Sequence, residues 1–474
     1  MPACWRGATI PVRAGRSGQT GFTRVGRHEA SSAVSSSRPR ILIVGGGYVG
    51  LYTALRLQRK LTRGAAEIIV VDPQSHMTYQ PFLPEAAAGS IEPRHVVVSL
   101  RRVLKHCTVV TGTVTQITHR SHSATVSPSD GAAYEIEYDI IVVAPGSVSR
   151  TLPIPGLAEG AIGFKNVGEA IFLRNKVLSC LDAAASTTEH AVRRRALTFT
   201  FVGGGYAGIE AFAELEDMAR YAVKKYYPQI GKDEMRWILV EASPRILPEV
   251  SLDLAAYTVD QLLRRGMDIR LNTRLESMVD GQVVLGDGDS YACDTVVWTA
   301  GVKPNPLLRA TDLRLDSRGR IDCEASLRVR GTADAWSAGD CAAVPDLSVS
   351  ELGARTAPSA QHAVRQAKVL ADNIVSVIRG GAPTPYSHKN AGSVASLGLY
   401  KGVAQIYGIK IRGVLAWFLH RTYHVSRVPT LNRKIRVLAD WTLALLFRRE
   451  VTSLGQIQDP RREFTTAAES AVTH

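Results

Sequence analysis

Two carboxylates, Asp72 and Glu241, each end an apolar strand that follows a glycine-rich turn. The first turn, Gly45-Gly-Gly47-Tyr-Val-Gly50, comes directly after Ile41-Leu-Ile-Val44, and Asp72 lies 22 residues beyond Gly50, after Glu67-Ile-Ile-Val-Val71. The second, Gly203-Gly-Gly205-Tyr-Ala-Gly208, comes 158 residues later, after Thr198-Phe-Thr-Phe-Val202. Glu241 lies 33 residues beyond Gly208 and ends Arg236-Trp-Ile-Leu-Val240, so a longer helix or an inserted loop is expected across 222–234. The chemistry demands these residue types. The first glycine makes the tight turn and the second admits a pyrophosphate to the backbone. The third lets the helix pack on the strand, with its N-terminus facing the phosphate charge. The acid accepts a hydrogen bond from a ribose hydroxyl and repels a 2′-phosphate. One such turn is weak evidence. Two, each between strand and helix and each followed by strand and acid, point to two dinucleotides.

The elements around these turns complete the pattern. Tyr138-Asp-Ile-Ile-Val-Val-Ala144-Pro-Gly146 and Cys293-Asp-Thr-Val-Val-Trp-Thr-Ala-Gly301 are strands ending in small-residue turns, suited to closing each unit by backbone contact. A further strand, Asp334-Ala-Trp-Ser-Ala, ends at Gly339-Asp340, where the acid could hold a ribityl hydroxyl or cap a helix before Cys341. Continuous apolar strands alternating with helical stretches imply an α/β chain built on parallel sheets. Helices are expected over residues 51–61 and 209–221.

At 474 residues the chain exceeds one hydrophobic core, and its 45% hydrophobic and 21% charged content suits a folded globular protein. The net charge of +14 is concentrated late: residues 401–450 carry ten Lys and Arg against Asp440 and Glu450. No zinc-finger spacing, RNP-type aromatic motif or basic region with heptads is present, so nucleic acid is not an expected partner. The six cysteines form no C-x-x-C or C-x4-C pair, so spacing gives neither a metal site nor a redox disulfide, and no metal is assigned. They read as small buried hydrophobes in a reducing compartment. No apolar run reaches the length needed to cross a bilayer. Residues 1–38 are rich in Arg, Ser and Gly with one acid, Glu29, and read as a targeting or disordered extension.

The order of the Gly45 motif, Ala144-Pro-Gly146, the Gly203 motif, Ala300-Gly301 and Gly339-Asp340 resembles the two-dinucleotide-domain flavoprotein reductases, over residues 39 to about 385. The resemblance implies two Rossmann-like domains, with an NADH-binding domain (151–301) inserted in a split FAD-binding domain (39–150 and 302–385) and a C-terminal interface and membrane-surface region (386–474). Non-covalent FAD would rest on Gly45, Gly47, Gly50, Asp72, Ala144, Gly146, Gly339 and Asp340. NADH would rest on Gly203, Gly205, Gly208, Glu241 and Gly301. Disulfide- and peroxide-reducing branches need a sulfur against the flavin. The corresponding stretch, Thr78-Tyr-Gln-Pro-Phe-Leu-Pro-Glu-Ala-Ala-Ala-Gly89, has no cysteine. It is similar instead to the type II NADH dehydrogenases, which pass electrons to a quinone without pumping protons. So is Ala360-Gln361-His-Ala-Val-Arg365-Gln366, close to that family's A-Q-x-A-x-Q quinone helix, although Arg365 fills the second glutamine slot. The resemblance implies catalytic roles for Gln361, Gln366 and Glu210.

Gly392-Ser-Val-Ala-Ser-Leu-Gly398 resembles the family's interface sheet. Beyond it, Ile435, Leu438, Ala439, Thr442, Leu445 and Leu446 share one helical stripe. Arg433, Arg436 and Asp440 lie opposite, Arg448 and Arg449 close the end, and Trp417, Phe418 and Trp441 supply aromatics. Such a helix lies in a membrane surface, or its stripe is a dimer or core-packing face. The expectation is a homodimer held peripherally on the cytoplasmic face of the inner or plasma membrane, or in mitochondria if 1–38 is a transit peptide. Two readings compete with quinone reduction: an NADH-dependent reductase of a soluble or protein acceptor, and a non-turnover NADH-binding redox sensor.

Overall fold

The apolar runs beside the glycine turns become the central strands of two parallel sheets in the computed structural model, which describes residues 38–351, 353–389, 392–447, 449–454, 461, 464 and 465. Residues 1–37 of the expected extension, and Arg448, lie outside the described residues. In the first sheet the strand order is Ala335–Ser337, Ile140–Val143, Arg40–Val44, Glu67–Asp72 and Thr108–Thr118, all parallel. Ser123–Pro128 and Tyr134–Glu137 extend it antiparallel. In the second the order is Ala161–Gly163, Thr295–Trp298, Thr198–Val202, Arg236–Val240 and Asp268–Arg270, again parallel. Both central strands are buried almost throughout, as their unbroken apolar sequences require. Strand Ala335–Ser337 follows the whole second sheet in sequence yet pairs with the first, so one nucleotide fold is inserted into the other. The two-Rossmann α/β architecture read from the motifs is the one observed.

The glycine helices begin three residues earlier than expected, at Tyr48–Lys60 and Tyr206–Tyr226. Gly50 and Gly208 therefore sit inside the first turn. There a Cβ would strike the carbonyl oxygen of Gly45 or Gly203, which is why the third glycine belongs in the helix and not before it. The longer second gap resolves into a helix running to Tyr226 and a loop over 227–235. Arg193 pins that loop through Glu234 at 2.6 Å and the Gln229 carbonyl.

Helix Ala360–Ile378 packs on Tyr48–Lys60, tied by a bidentate Arg56–Asp372 pair at 2.6 and 2.7 Å. A three-stranded antiparallel sheet follows, Gly392–Ser396, Gly402–Ile406 and Ile409–Arg412, and then helices Gly413–Arg427 and Leu431–Phe447. The expected apolar stripe is present: Ile435, Leu438, Ala439, Thr442, Leu445 and Leu446 are all exposed. Three residues assigned to the membrane side are corrected. Trp417 and Trp441 are buried, and Arg449 pairs with Asp217 at 3.2 Å beneath the surface. Asp440, opposite the stripe as expected, lies 2.6 Å from His95 Nδ1. The helix docks through Val437 and Trp441, with Trp441 packed on Phe82 and bonded to the buried Glu85, and the longer apolar stripe is left outside. Among the described residues no helix is long and apolar enough to cross a membrane.

Candidate functional site

The two glycine turns are built alike, atom for atom. Gly45 N donates to Val71 O at 2.8 Å and Gly203 N to Val240 O at 2.9 Å, each locking its turn to the neighbouring strand. Gly46 N donates to Asp72 Oδ2 and Gly204 N to Glu241 Oε2, both at 2.6 Å. Ala144 N reaches Val44 O and Thr299 N reaches Val202 O, both at 2.8 Å, so each closing strand is fixed to its central strand. The carboxylates thus stand at the strand tips beside the glycine turns. Burial pushes the Asp72 pKa upward, with the Gly46 and Gln74 amides pulling the other way.

Both cradles suit a pyrophosphate. A Cβ at Gly47 or Gly205 would meet nothing, so space is open where the second glycine lets backbone approach a ligand. Neither helix has a side chain capping its first turn, which leaves N-terminal amides and the positive end of the helix dipole for an anion. At the second cradle Glu241 Oε1 also accepts from Ser243 N and Oγ, at 2.7 and 2.6 Å. Arg245, a cation close by in sequence, donates through Nη2 to the carbonyls of Leu247, Pro248 and Val250.

Asp340 lies in the turn Gly339–Cys341, whose cap residue is Ala338. Its Oδ2 accepts from Ser147 Oγ at 2.7 Å, and Ser147 Oγ accepts in turn from Lys165 Nζ at 2.7 Å. Burial holds the Lys165 pKa below the usual ammonium value, against the pull of Asp340 and Glu169. The sequence reading missed Ser147 and Lys165. Ser147 directly follows the Gly146 turn and was within reach; Lys165 carries no motif. Tyr48 stands close by, its phenol pKa pushed well up by burial and then by Tyr52, so it stays protonated. Gln366, completely buried, accepts from Gly339 N at 2.8 Å and donates to Thr356 Oγ1 at 3.1 Å. Gln361 is half-buried at the start of the same helix, 3.3 Å from His388 Nε2 and 3.4 Å from the Gly392 carbonyl.

Glu210, in the first turns of the second glycine helix, faces the C-terminal sheet and helix. Its Oε1 accepts from Ser396 N at 2.9 Å and lies 3.0 Å from His420 Nε2. Burial alone would lower the His420 pKa, but Glu210 and, farther off, Glu85 and Glu214 outweigh it and hold it above the ordinary value. His424 has the opposite fate: burial, aided by His420, keeps it well below. Its Nδ1 lies 3.2 Å from the Tyr79 hydroxyl. This chain of groups was invisible in the sequence except for Glu210. Cys180, Cys293, Cys323 and Cys341 are buried free thiols with raised pKa values, so none is poised as a thiolate.

Comparison with known proteins agrees with this geometry. The model of the pyridine nucleotide-disulphide oxidoreductase family matches residues 39–367. The chain is 30% identical to a type II NADH:quinone oxidoreductase of Staphylococcus epidermidis, over 84% of this chain and 97% of that one. It is 28% identical to the type II NADH:quinone oxidoreductase Ndh of Mycobacterium tuberculosis, covering 87% and 89%. A probable NADH dehydrogenase of Dictyostelium discoideum is 29% identical, with 87% and 91% covered. Among solved structures, NDH2 from Plasmodium falciparum in complex with NADH superposes with a TM-score of 0.81 over 88% of this chain and all of that one, at 16% identity. That last likeness is one of fold.

Proposed function

The chain belongs to the pyridine nucleotide-disulphide oxidoreductase family and, within it, to the type II NADH:quinone oxidoreductases, and from that premise we propose that it passes hydride from NADH to FAD and two electrons onward to a membrane quinone without moving protons across the membrane. The observation that carries the reading is the matched pair of glycine cradles, each with a carboxylate fixed at its strand tip. FAD belongs to the first cradle and NADH to the second.

When bound, FAD supplies the two-electron chemistry, and the protein supplies orientation and exclusion of water. The amides around Gly45, Gly47 and Gly50 and the Tyr48 helix terminus would bind its pyrophosphate. Asp72 would take a ribose hydroxyl and Asp340 a ribityl hydroxyl, with Ser147 and Lys165 holding Asp340 in place. Gln366 holds Gly339 and so positions Asp340. Gly203, Gly205, Gly208 and Glu241 would do the same for NADH, with Gly301 closing the turn. Gln361 is assigned to the quinone side, where its amide can orient a carbonyl. Glu210, paired with His420, is assigned to holding a proton that quinone reduction consumes.

The quinone requires a route from lipid. The exposed stripe from Ile435 to Leu446, with Val414, Leu415 and Phe418 on the preceding helix, offers apolar area for a membrane surface. Such a face can also serve a second copy of the chain, and the proposal includes a homodimer. Purified protein should oxidise NADH with a short-chain quinone and, in liposomes, with a long-chain quinone. Oxidation of NADH by dyes alone, with no quinone accepted, would overturn the quinone assignment.

A further inference from the structure

Two histidines and an aspartate converge at the end of the first sheet far from its glycine turn. His119 opens the turn His119–Ser121 between strands Thr108–Thr118 and Ser123–Pro128, and His122 follows it. Asp334 immediately precedes strand Ala335–Ser337. His119 Nε2 lies 3.2 Å from Asp334 Oδ1 and His122 Nε2 lies 3.0 Å from Oδ2. All the potential ligand atoms fall within 4.8 Å of one another. From this arrangement we propose that His119, His122 and Asp334 form a binding site for a divalent d-block ion such as Zn2+.

The donor set is right for such an ion: two imidazole nitrogens and one carboxylate oxygen leave a fourth, tetrahedral position for water. Metal–ligand bonds of about 2.0–2.2 Å place tetrahedral donors roughly 3.3 Å apart. Each imidazole nitrogen already stands within a few tenths of an ångström of that spacing from one of the two carboxylate oxygens. The supporting shell is also in place. His119 Nδ1 lies 3.3 Å from the Tyr138 hydroxyl, a group able to accept from Nδ1–H when Nε2 binds an ion. The two imidazoles stack at 5.2 Å with planes 23° apart, and the Tyr138 ring stacks on both. Asp312 takes the amides of His119 and Arg120 at 2.7 and 3.1 Å, so the turn is held before any ion arrives. The side chain of His122 is 47% exposed and that of Asp334 26%, which leaves an entry path and room for water.

The ligands come from segments more than two hundred residues apart, on the two sides of the inserted nucleotide fold. Only the folded chain brings them together, so an ion bound here staples strand Ala335–Ser337, which leads to Gly339 and Asp340, to the turn after Thr108–Thr118, and stabilises the native state by mass action.

The test is titration of metal-stripped, flavin-loaded full-length protein with Co2+, followed by displacement with Zn2+. Visible bands of tetrahedral Co2+ should saturate at one equivalent, vanish on adding Zn2+, and be accompanied by a rise in Tm. His122→Asn suits the turn, because Asn tolerates the left-handed backbone (φ +51°) found there. It should weaken binding at least a hundredfold while flavin content and NADH–dye activity stay unchanged. His119→Gln is the second variant and should do the same. Absence of a one-equivalent site in the parent protein, or unchanged affinity in a correctly folded variant, would overturn the proposal.

Discussion

Arg421 donates through Nη2 to Glu85 Oε2 at 2.7 Å, joining two side chains that are both nearly buried. Trp441 Nε1 donates to the same oxygen, also at 2.7 Å. Glu85 lies in the cysteine-free stretch where disulfide-reducing relatives place their sulfurs. Here that stretch anchors both C-terminal helices on the flavin fold. Arg421 also stacks between Trp417 and Trp441, 4.2 and 4.6 Å from the ring centres.

Glu85→Ala should therefore cost about 3–5 kcal/mol, because it leaves the Arg421 cation buried and unpaired. Denaturant titration would measure this, and limited proteolysis should cut first near 428–431, between the two helices. A loss below about 1 kcal/mol would mean that Arg421 finds water instead.

Glu241 should set nucleotide choice. Glu241→Ala should narrow the NADH-over-NADPH ratio of kcat/KM by roughly tenfold, about 1.4 kcal/mol of lost repulsion toward a 2′-phosphate. Some loss with NADH is expected as well, since Gly204 and Ser243 lose their acceptor. An unchanged ratio would place the ribose contact elsewhere.

Much of this site was legible because glycine spacing and strand-end acids are local: Gly45 to Asp72 and Gly203 to Glu241 each form a single βαβ unit. The strand of Gly339 and Asp340 was also legible, although the sheet it joins is set by a long-range pairing. What could not be read was which face of an amphipathic helix wins. In Leu431–Phe447 the apolar stripe suggested one answer about Trp441 and the docked surface gave another. That surface depends on Glu85, some 350 positions away, and on Asp217 and Glu214, which draw in Arg449. Lys165 and His420 were silent for the same reason, since each owes its role to partners on other elements.

The His420–Glu210 pair should make stability pH-dependent in a definite sense. A histidine whose pKa is raised on folding stabilises fully below its unfolded value, near 6.5, and that contribution is lost as pH rises through the folded value. His424, lowered on folding, acts below pH 6.5 and in the opposite sense. Urea midpoints compared between the parent protein and His420→Asn should converge as pH is raised above about 6.5. A gap that widens with pH would contradict the pairing.

Membrane attachment should depend on the exposed stripe more than on charge. Leu438→Glu and Leu445→Glu should each weaken binding to anionic liposomes by about tenfold or more, the worth of one buried leucine. Salt should release the parent protein only in part, because screening spares apolar insertion. Complete release by salt would leave the stripe for a second copy of the chain.

Gln361→Ala should slow quinone reduction by about tenfold, roughly one well-placed hydrogen bond, and leave reduction by NADH intact. Equal losses in both half-reactions would point to a flavin-binding defect.

The most direct measurement is anaerobic stopped-flow absorbance of the flavin-loaded protein, mixed first with NADH and then with a quinone. The account predicts that NADH bleaches the visible absorbance band of the oxidised flavin faster than turnover, and that quinone restores it. A flavin that NADH leaves oxidised, or a reduced flavin that quinone fails to reoxidise, would contradict it.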